Sequence, residues 1–414
     1  MRKSLLASLL SLSLLGPACH DAKQGDSQVS PQAAVPARVQ EDAFALQVFR
    51  HLLTEQKGNV IFSPAGLEGV LKLLQQGARG KTAAELAALP MGRAAGPSGM
   101  QVAEATALFA AESLRLKPGV AADTVQRAPF ETDAAKAAAI INAWADRKTR
   151  GMIPRLELDL GRDTRLVAAS AIALDEKWLY AFPAASTHLA EFHLADGTVK
   201  QVQMMKSEAD YRFARGEGWQ AVALFYRADD RPGSPGCFIG ILPAGDARRF
   251  AAGLTPEKLG SIRRALVTAQ PQKMTVLLPR FETRTETFSL KPALQACSVY
   301  SLFTPAADFS GLADEPLVLA DVQQRCYTKV NEAGTQAAAV TAAIVTKSTK
   351  SMPRCIRFDR PFIWLIGDLA TPVAPWFMGL FESPYGLGTK KESGTTRPAY
   401  AGRAMPLGLL PPHA

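Results

Sequence analysis

Apolar residues in the first third of the chain recur at the spacing of helices. One such pattern runs from Glu41 to Leu53, and a second apolar face covers residues 64–77. Ser63 is a suitable N-cap for the second helix, and Pro64 suits its first turn. Thr82-Ala-Ala-Glu85 has the spacing of a capping box, so it predicts the start of a third helix.

The periodicity changes after a fourth predicted helix, Ala134–Arg150, which Gly151 ends. Continuous apolar runs of strand length then follow, as expected for strands that are buried on both faces. These runs are Leu166–Leu174, Cys237–Leu242, Thr275–Leu278, Leu317–Val322 and Phe362–Ile366. Helices early in the chain and strands later predict an α+β fold.

The segment from Asn331 to Pro353 combines properties that seldom occur together. After Gly334 it contains small and β-branched residues and no Pro before Pro353, although the chain has 28 Pro. A central strand excludes Pro because Pro lacks the ladder N–H, and Gly334 can serve as a pivot. The segment therefore suits both an exposed loop that is cut and a buried strand. An Ala-rich helix or an ordinary loop is the alternative.

Composition, charge and motifs limit the classes of function that the sequence supports. The 414 residues are 47% hydrophobic and 21% charged, which is typical of a globular protein. The net charge of +9 is spread without a basic run, so nucleic-acid binding is not expected. No nucleophile, zinc or phosphate-loop motif is found, so we expect neither an enzyme nor a cofactor. His188 and His193 flank Glu191 at a spacing that matches no metal site, and are expected on a surface strand.

The two ends of the chain are predicted to lie outside the folded domain. Residues 1–18 have the charged and short apolar regions of a signal peptide, and Cys19 follows a small residue, as in a lipoprotein. We therefore expect Cys19 to be lipidated outside the cytoplasm of a bacterium, with an ordinary cleaved signal as the alternative. Residues 19–41 are a predicted flexible tether, and residues 385–414 an irregular tail.

Four cysteines remain after Cys19, and none is in a CxxC pair. Buried free thiols are the expected state, although a disulfide is possible in an exported chain. The four are Cys237, Cys297, Cys326 and Cys355.

Several motifs in fixed order give the region 42–384 a family resemblance. They are Asn59–Pro64, Gly77–Gly80, Ile141-Asn142, Gly151–Ile153, Leu278–Phe281, Ala307–Gly311, Val330–Thr335, Arg360–Phe362 and Phe377–Gly379. The set resembles the serpins, the serine-protease-inhibitor superfamily. The resemblance implies a large central mixed β-sheet with further sheets, about eight to nine helices, and an exposed reactive-centre loop at about 334–353.

Two positions depart from the family's pattern beneath the main sheet. The resemblance places Ser63, Ser170, Trp178 and Gln324 in the region where the sheet opens. Serpins usually carry Asn where Ser170 stands and His where Gln324 stands, and those two groups hydrogen-bond. A Ser–Gln pair can rebuild such a bond, since Gln supplies a donor and an acceptor.

The function that the resemblance implies is suicide inhibition. A serine protease would attack the loop and form an acyl-enzyme, and the cut loop would insert into the main sheet and trap the enzyme. The residues carried over to the hinge are Glu332, Gly334, Thr335, Gln336, Ala337, Ala338 and Ala339. Those after Gly334 are uncharged and not aromatic, which favours insertion into a packed interior.

The cleaved bond is predicted from the count and from protease chemistry. Fourteen residues on from Gly334 is Ser348, and Lys347-Ser348 suits a trypsin-like protease whose S1 pocket carries an Asp. Ser348-Thr349 and Lys350-Ser351 are alternatives, and Ile344-Val345 would suit an elastase-like enzyme. A solvated loop charge is the plainer interpretation of each Lys.

Two rival functions have different partners. A non-inhibitory serpin would act as a binding or chaperone module at the cell surface. A surface lipoprotein would bind a partner through Trp219 or the C-terminal region. For the favoured function we expect a monomer whose partner is a serine protease, held at the membrane only by its lipid.

Overall fold

The computed structural model describes residues 41–91, 100, 102–118, 120, 125–158, 160–228, 235–335, 354–370 and 375–384. Within these ranges there are seven α-helices and two short 3-10 turns, Ala184–Ser186 and Ser301–Phe303. The helices are α1 Glu41–Glu55, α2 Pro64–Gly77, α3 Gly80–Ala87, α4 Ala134–Lys148, α5 Ala247–Ala252, α6 Pro256–Thr268 and α7 Lys291–Ala296.

The strands follow mainly after α4, as the apolar runs predict. They are β1 Val60–Phe62, β2 Val102–Ala111, β3 Val125–Ala128, β4 Leu166–Leu174, β5 Glu176–Lys177, β6 His188–His193, β7 Val199–Gly216, β8 Trp219–Phe225, β9 Gly236–Pro243, β10 Gln272–Pro279, β11 Phe281–Arg284, β12 Phe288–Ser289, β13 Val322–Val330, β14 Gly334–Thr335, β15 Arg354–Arg357, β16 Phe362–Asp368 and β17 Phe377–Phe381.

These strands form two mixed sheets. The first has the order β3-β2-β4-β13-β14-β5, with β11 and β12 also paired to β13. The second has the order β1-β17-β16-β9-β8-β7-β10-β15, with β6 paired to β7. At the centre of the first sheet, β4 and β13 are parallel neighbours that come from distant parts of the chain, and this junction is called the seam below.

Both faces of the first sheet are covered by helices. Helix α2 lies on one face, with Gly66 against Ser170, and α4 lies on the other, where the ring centroids of Phe109 and Trp144 are 5.2 Å apart. Every residue of β4 is buried, which confirms its prediction as a strand with two buried faces.

Two predictions of local structure are wrong. Helix α3 begins at Gly80, and its N-cap Arg79 makes no side-chain capping bond. The Thr82 hydroxyl instead accepts from the Asp308 N–H at 2.9 Å, and Glu85 bonds the backbone of Ser301 at 2.8 Å, so both capping-box residues make tertiary contacts.

The second error concerns the apolar run at Leu317–Val322. Residues 317–321 are not a strand, and β13 begins only at Val322. Leu317 and Leu319 are buried as parts of a connecting segment. A short apolar run shows burial but does not distinguish a strand from a packed connection.

The four cysteines among the described residues are free thiols. Cys237, Cys297 and Cys326 are buried as expected, whereas Cys355 on β15 is exposed. Burial raises the pKa of the Cys297 thiol to about 11, so this group is a neutral part of the core. No helix in the described ranges is long and apolar enough to cross a membrane.

Candidate functional site

The hinge is a tight turn between β13 and β14. The side-chain oxygen of Asn331 accepts hydrogen bonds from the backbone N–H groups of Ala333 at 3.0 Å and Gly334 at 3.2 Å. The backbone N–H of Asn331 in turn donates to the carbonyl of Gly334 at 2.9 Å. Asn favours such local bonds to its own backbone, so this residue closes the turn that sends the chain back along β13.

The strand β14 lies between β13 and β5 and is antiparallel to both. Thr335 is opposite Val330 on one side and opposite Glu176 on the other. A Cβ atom added to Gly334 would lie 1.9 Å from the carbonyl oxygen of Glu176. Only Gly therefore fits where the hinge enters the sheet.

Thr335 is fully buried, and its hydroxyl is within 2.7 Å of the Tyr226 hydroxyl. The Tyr226 ring stacks on Trp178, with a centroid distance of 4.7 Å and an interplanar angle of 9°. Burial raises the pKa of Tyr226 well above 10, so the phenol stays neutral and able to donate. The first side chain after the glycine is thus held by a rigid aromatic pair.

Trp178 also holds the backbone of the turn. Its indole N–H donates to the carbonyl of Asn331 at 2.8 Å, and its backbone N–H donates to the carbonyl of Ala333 at 2.9 Å. The backbone N–H of Phe182 donates to the carbonyl of Glu332 at 2.8 Å. Three consecutive residues of the turn are therefore fixed by the segment that follows β5.

Glu332 is the charged member of the hinge. Its carboxylate accepts a hydrogen bond from the Thr187 hydroxyl at 2.7 Å and forms an ion pair with Arg280. Partial burial alone would raise the pKa of Glu332, but the bonds from Arg280 and Thr187 outweigh it and hold that pKa below its usual value. Glu332 is therefore ionised at neutral pH.

The seam lies below the hinge. Ser170 on β4 and Gln324 on β13 are directly opposite each other. Gln324 does not bond Ser170: its oxygen accepts from the Ser63 N–H at 2.8 Å, and its amide donates to the Ser63 carbonyl at 3.0 Å. The Ser170 hydroxyl is buried without a hydrogen-bond partner. The bond that sequence reasoning allowed between these two side chains is thus not formed.

Ser63 has a second role at the same place. Its hydroxyl accepts from the Gly66 N–H at 3.0 Å and so caps α2, as predicted. Because the Gln324 side chain bonds the backbone of this N-cap, it links β13 to the start of α2 and makes no bond to the Ser170 side chain on β4.

Part of the predicted site lies outside the described residues. Glu332, Gly334 and Thr335 come together with Trp178 at the upper end of the seam. The other hinge residues and both residues of every candidate bond belong to the range 336–353: Gln336, Ala337, Ala338, Ala339, Ile344, Val345, Lys347, Ser348, Thr349, Lys350 and Ser351. Cys19 also lies outside the described part of the chain.

Sequence reasoning missed Tyr226, Thr187 and Arg280 as hinge contacts. Arg280 stands inside a recognised motif, Leu278–Phe281, and a charged Arg directly after an apolar run of strand length was a usable signal. The roles of Tyr226 and Thr187 depend on contacts over more than 100 residues and had no local signal.

The histidines flanking Glu191 are exposed strand residues, as predicted. His193 Nε2 lies 3.9 Å from a Glu191 oxygen, and His188 Nδ1 lies 3.1 Å from the Ser186 carbonyl. Among the described residues no cluster of His, Cys, Asp or Glu has a geometry that could hold a metal ion.

Comparison with known structures identifies the fold. The native-state structure of tengpin, a thermophilic serpin, superposes with a TM-score of 0.72 at 22% identity, covering 86% of this chain and 96% of tengpin. The α+β serpin fold, with its large mixed central sheet, is thus confirmed.

The sequence comparisons identify the family. The family model described as serpin (serine protease inhibitor) matches residues 39–107 and 97–384, and the chain belongs to this family. Serpin A3-7 of Bos taurus is 30% identical over 352 residues, which are 77% of this chain and 82% of that relative. Plasminogen activator inhibitor 1 of Bos taurus is 28% identical over 401 residues, which are 87% of this chain and 95% of that relative.

Proposed function

We propose that this serpin is a suicide inhibitor of serine proteases, with trypsin-like enzymes as the favoured targets. The observation that carries the proposal is the position of β14. Gly334 and Thr335 are already paired between β5 and β13, at the upper end of the seam. A strand that continued from Thr335 in this position would enter between β4 and β13.

The seam is suited to such an entry. The parallel pairing of β4 and β13 is somewhat less stable per residue than antiparallel pairing. A strand continuing from Thr335 would run antiparallel to both and would replace one parallel pairing by two antiparallel ones. The residues that would follow, from Gln336 to Thr341, carry no charge and no ring, so they suit a packed interior.

The outcome of the proposed mechanism depends on the relative rates of two competing steps, loop insertion and hydrolysis of the acyl-enzyme. The protease serine attacks the carbonyl of the cleaved bond, the amine of the following residue leaves, and an ester joins the enzyme to the loop. Insertion of the cut loop must then displace the protease before water hydrolyses that ester. The name plasminogen activator inhibitor 1 supports protease inhibition as the activity of a relative.

The proposed bond is Lys347-Ser348. A Lys side chain fits the S1 pocket of a trypsin-like protease, where an Asp binds it. Lys350-Ser351 offers the same chemistry three residues further on. Lys347→Ala and Lys350→Ala, made singly, separate the two: only the variant that removes the true site loses reactivity with trypsin.

The decisive experiment mixes the purified protein with trypsin and analyses the products on a denaturing gel. A complex that survives boiling supports the proposal, and the first residue of the released C-terminal peptide identifies the bond. Thr335→Arg is the matched control: a buried charge in place of Thr335 blocks insertion, so cleavage without a complex is expected. Cleavage of the unmodified protein without any complex contradicts the proposal and favours a non-inhibitory binding module.

We further propose that the inhibitor acts outside the cytoplasm, attached to a bacterial membrane through lipidated Cys19. The support is the signal-like sequence of residues 1–18 and the polar tether of residues 19–41. Mass spectrometry of the mature N-terminus tests this: a diacylglyceryl modification on Cys19 supports it, and a free N-terminus at another residue contradicts it.

A further inference from the structure

A cavity of about 390 Å³ lies between helix α4 and the segment that follows this helix. Its lining residues are Ala138, Asn142, Arg155, Leu156, Glu157 and Leu158. All six belong to α4 or to residues 155–158, so the cavity is separate from the hinge and from the strands of the seam. Sites for small molecules are commonly concave spaces of about 300–1,000 Å³ that combine apolar walls with a few polar groups.

The wall opposite the helix is formed by residues 152–158, called the return segment below, which run back along α4. The Ile153 N–H donates to the Thr149 hydroxyl at 2.9 Å, near the end of the helix. The Leu156 N–H donates to the side-chain oxygen of Asn142 at 2.7 Å, two turns nearer the start of the helix. The return segment is therefore antiparallel to α4, and the cavity is the space left between them.

The return segment is also bonded to the first sheet and its neighbours. The Arg325 guanidinium on β13 donates to the carbonyl of Arg155 at 2.6 Å. The Glu157 N–H donates to the Thr287 hydroxyl, just before β12, at 2.8 Å. Together with the bond from Leu156 to α4, these contacts hold three consecutive residues. A wall fixed in this way exists before a ligand arrives, which lowers the entropy cost of binding.

The space remains open because the helix presents a small side chain to it. Ala138 and Asn142 are four residues apart and so lie on the same face of α4. Asn142 reaches across to the return segment, whereas Ala138 ends in a methyl group. With Leu156 and Leu158 on the other side, Ala138 gives the cavity an apolar part.

Two groups at the cavity can donate hydrogen bonds to a ligand. The oxygen of the Asn142 amide is taken by the Leu156 N–H, so its NH2 group is left as a donor. Arg155 is exposed, and its guanidinium makes no ion pair or hydrogen bond with any residue in the described part of the chain. A guanidinium offers a planar fork of N–H donors that matches the two oxygens of a carboxylate.

The one carboxylate in the lining does not cancel this positive charge. Glu157 Oε1 lies 3.6 Å from Nη1 of Arg325, and Arg325 is itself mostly buried. The charge of Glu157 is thus offset by Arg325, and Arg155 is the uncompensated charge among the lining residues. An anionic group is therefore favoured over a cationic one.

We propose that this cavity binds a small organic carboxylate with an apolar tail. The carboxylate is held by the Arg155 guanidinium and the Asn142 NH2 group, and the tail packs on Ala138, Leu156 and Leu158. Binding at this site does not require a protease or cleavage of the chain, so it can be measured whether or not the protein is an inhibitor.

The test uses octanoate as the probe and the purified, uncut protein, with binding measured by titration calorimetry. Octanoate is expected to bind with a dissociation constant of ~1 mM or lower. Octylamine has the same tail and the opposite charge, and it is expected to bind at least about tenfold more weakly, because Arg155 repels it.

Two variants with matched controls locate the site. Arg155→Gln removes the charge and is expected to weaken octanoate binding about tenfold, whereas Arg147→Gln, an exposed Arg of α4 outside the lining, should have no effect. Ala138→Leu fills the cavity and should abolish binding, whereas Ala139→Leu, at the next and exposed position of α4, should not. Thermal unfolding without the probe verifies that each variant is folded, and Arg155→Gln tests the site even if Ala138→Leu is not.

Several results would overturn the proposal. No heat of binding with octanoate up to about 10 mM would show that the cavity takes no such ligand. Equal affinity for octylamine and octanoate would show that Arg155 does not select the charge. Unchanged octanoate binding in Arg155→Gln, or equal losses in Ala138→Leu and Ala139→Leu, would place the bound octanoate somewhere else.

Discussion

The Tyr226 hydroxyl lies 2.7 Å from the Thr335 hydroxyl, and both side chains are buried at the point where the hinge enters the sheet. Tyr226→Phe removes one partner and leaves the Thr335 hydroxyl unsatisfied. We expect a loss of about 1–2 kcal/mol in the free energy of unfolding, measured with denaturant. We also expect a larger fraction of molecules to be cleaved without trapping trypsin. The reason is that Thr335, the first hinge residue after Gly334, is no longer held by a side-chain hydrogen bond.

Tyr211→Phe is the control for this prediction. Tyr211 is also buried and donates to the Ser207 hydroxyl at 2.9 Å, but it does not contact the hinge. Its replacement should cost similar stability and leave the ratio of complex to cleaved protein unchanged. Equal ratios in the two variants would contradict a role for Tyr226 in insertion.

Gly334→Ala should displace β14 from β5. The added Cβ would lie 1.9 Å from the Glu176 carbonyl oxygen, and this backbone atom cannot rotate away as a side chain can. We expect a loss of about 1–3 kcal/mol in the free energy of unfolding and faster proteolysis at the hinge. Gly245→Ala is the control, since a Cβ there meets no atom within 4 Å. The same proteolysis rate in both variants would show that β14 is not seated by the close approach of Gly334.

The Glu332 carboxylate should make the hinge sensitive to acid. Its pKa is lower in the folded protein than in the unfolded chain, so its stabilising contribution is complete above the ordinary glutamate pKa of about 4.3. The contribution is lost as the pH falls through the depressed folded value. The stability difference between the unmodified protein and Glu332→Gln should therefore be constant near neutral pH and shrink below about pH 4.

Urea unfolding at a series of pH values measures this difference. Glu217→Gln, at an exposed turn between β7 and β8, should change little at any pH. A Glu332→Gln effect that persists unchanged in acid would show that the ionised carboxylate and Arg280 do not hold the hinge.

Arg248 joins the beginning and the end of the serpin domain. Its guanidinium makes two bonds to the Glu382 carboxylate, at 3.0 and 2.7 Å, and also donates to the carbonyls of Gln56 and Gly58. Lys cannot reproduce this fork, so Arg248→Lys should lower the free energy of unfolding by about 1.5–3 kcal/mol. Arg249→Lys, on the exposed side of the same helix, is the control. Equal unfolding midpoints would show that the geometry of the guanidinium is unimportant.

The strands and the hinge could be predicted because their signals are local. The apolar run of β4 reflects a strand with two buried faces, and Gly334 lies where the carbonyl oxygen of Glu176 leaves no room for a side chain. The run at Leu317–Val322 misled because burial of Leu317 and Leu319 serves a packed connection as well as a strand.

The details of the site depend on packing between distant segments. The sequence brings Ser170 and Gln324 to one place through the family resemblance, but the bond that Gln324 makes is decided by the nearness of the Ser63 backbone. Thr82 and Glu85 likewise have the spacing of a capping box. Both side chains instead accept hydrogen bonds from backbone N–H groups in the segment of residues 301–308.

The turn at Asn331 also bears on how the chain folds. It joins Val330 to Thr335, only five residues later, whereas the seam joins Ser170 to Gln324, more than 150 residues later. Closing a short loop is faster and costs less entropy than closing a long one. The loop can thus reach the free edge of β13 before β4 does. A chain that folds with β4 on that edge must complete a pairing over more than 150 residues before a hairpin that spans five residues extends along the same edge.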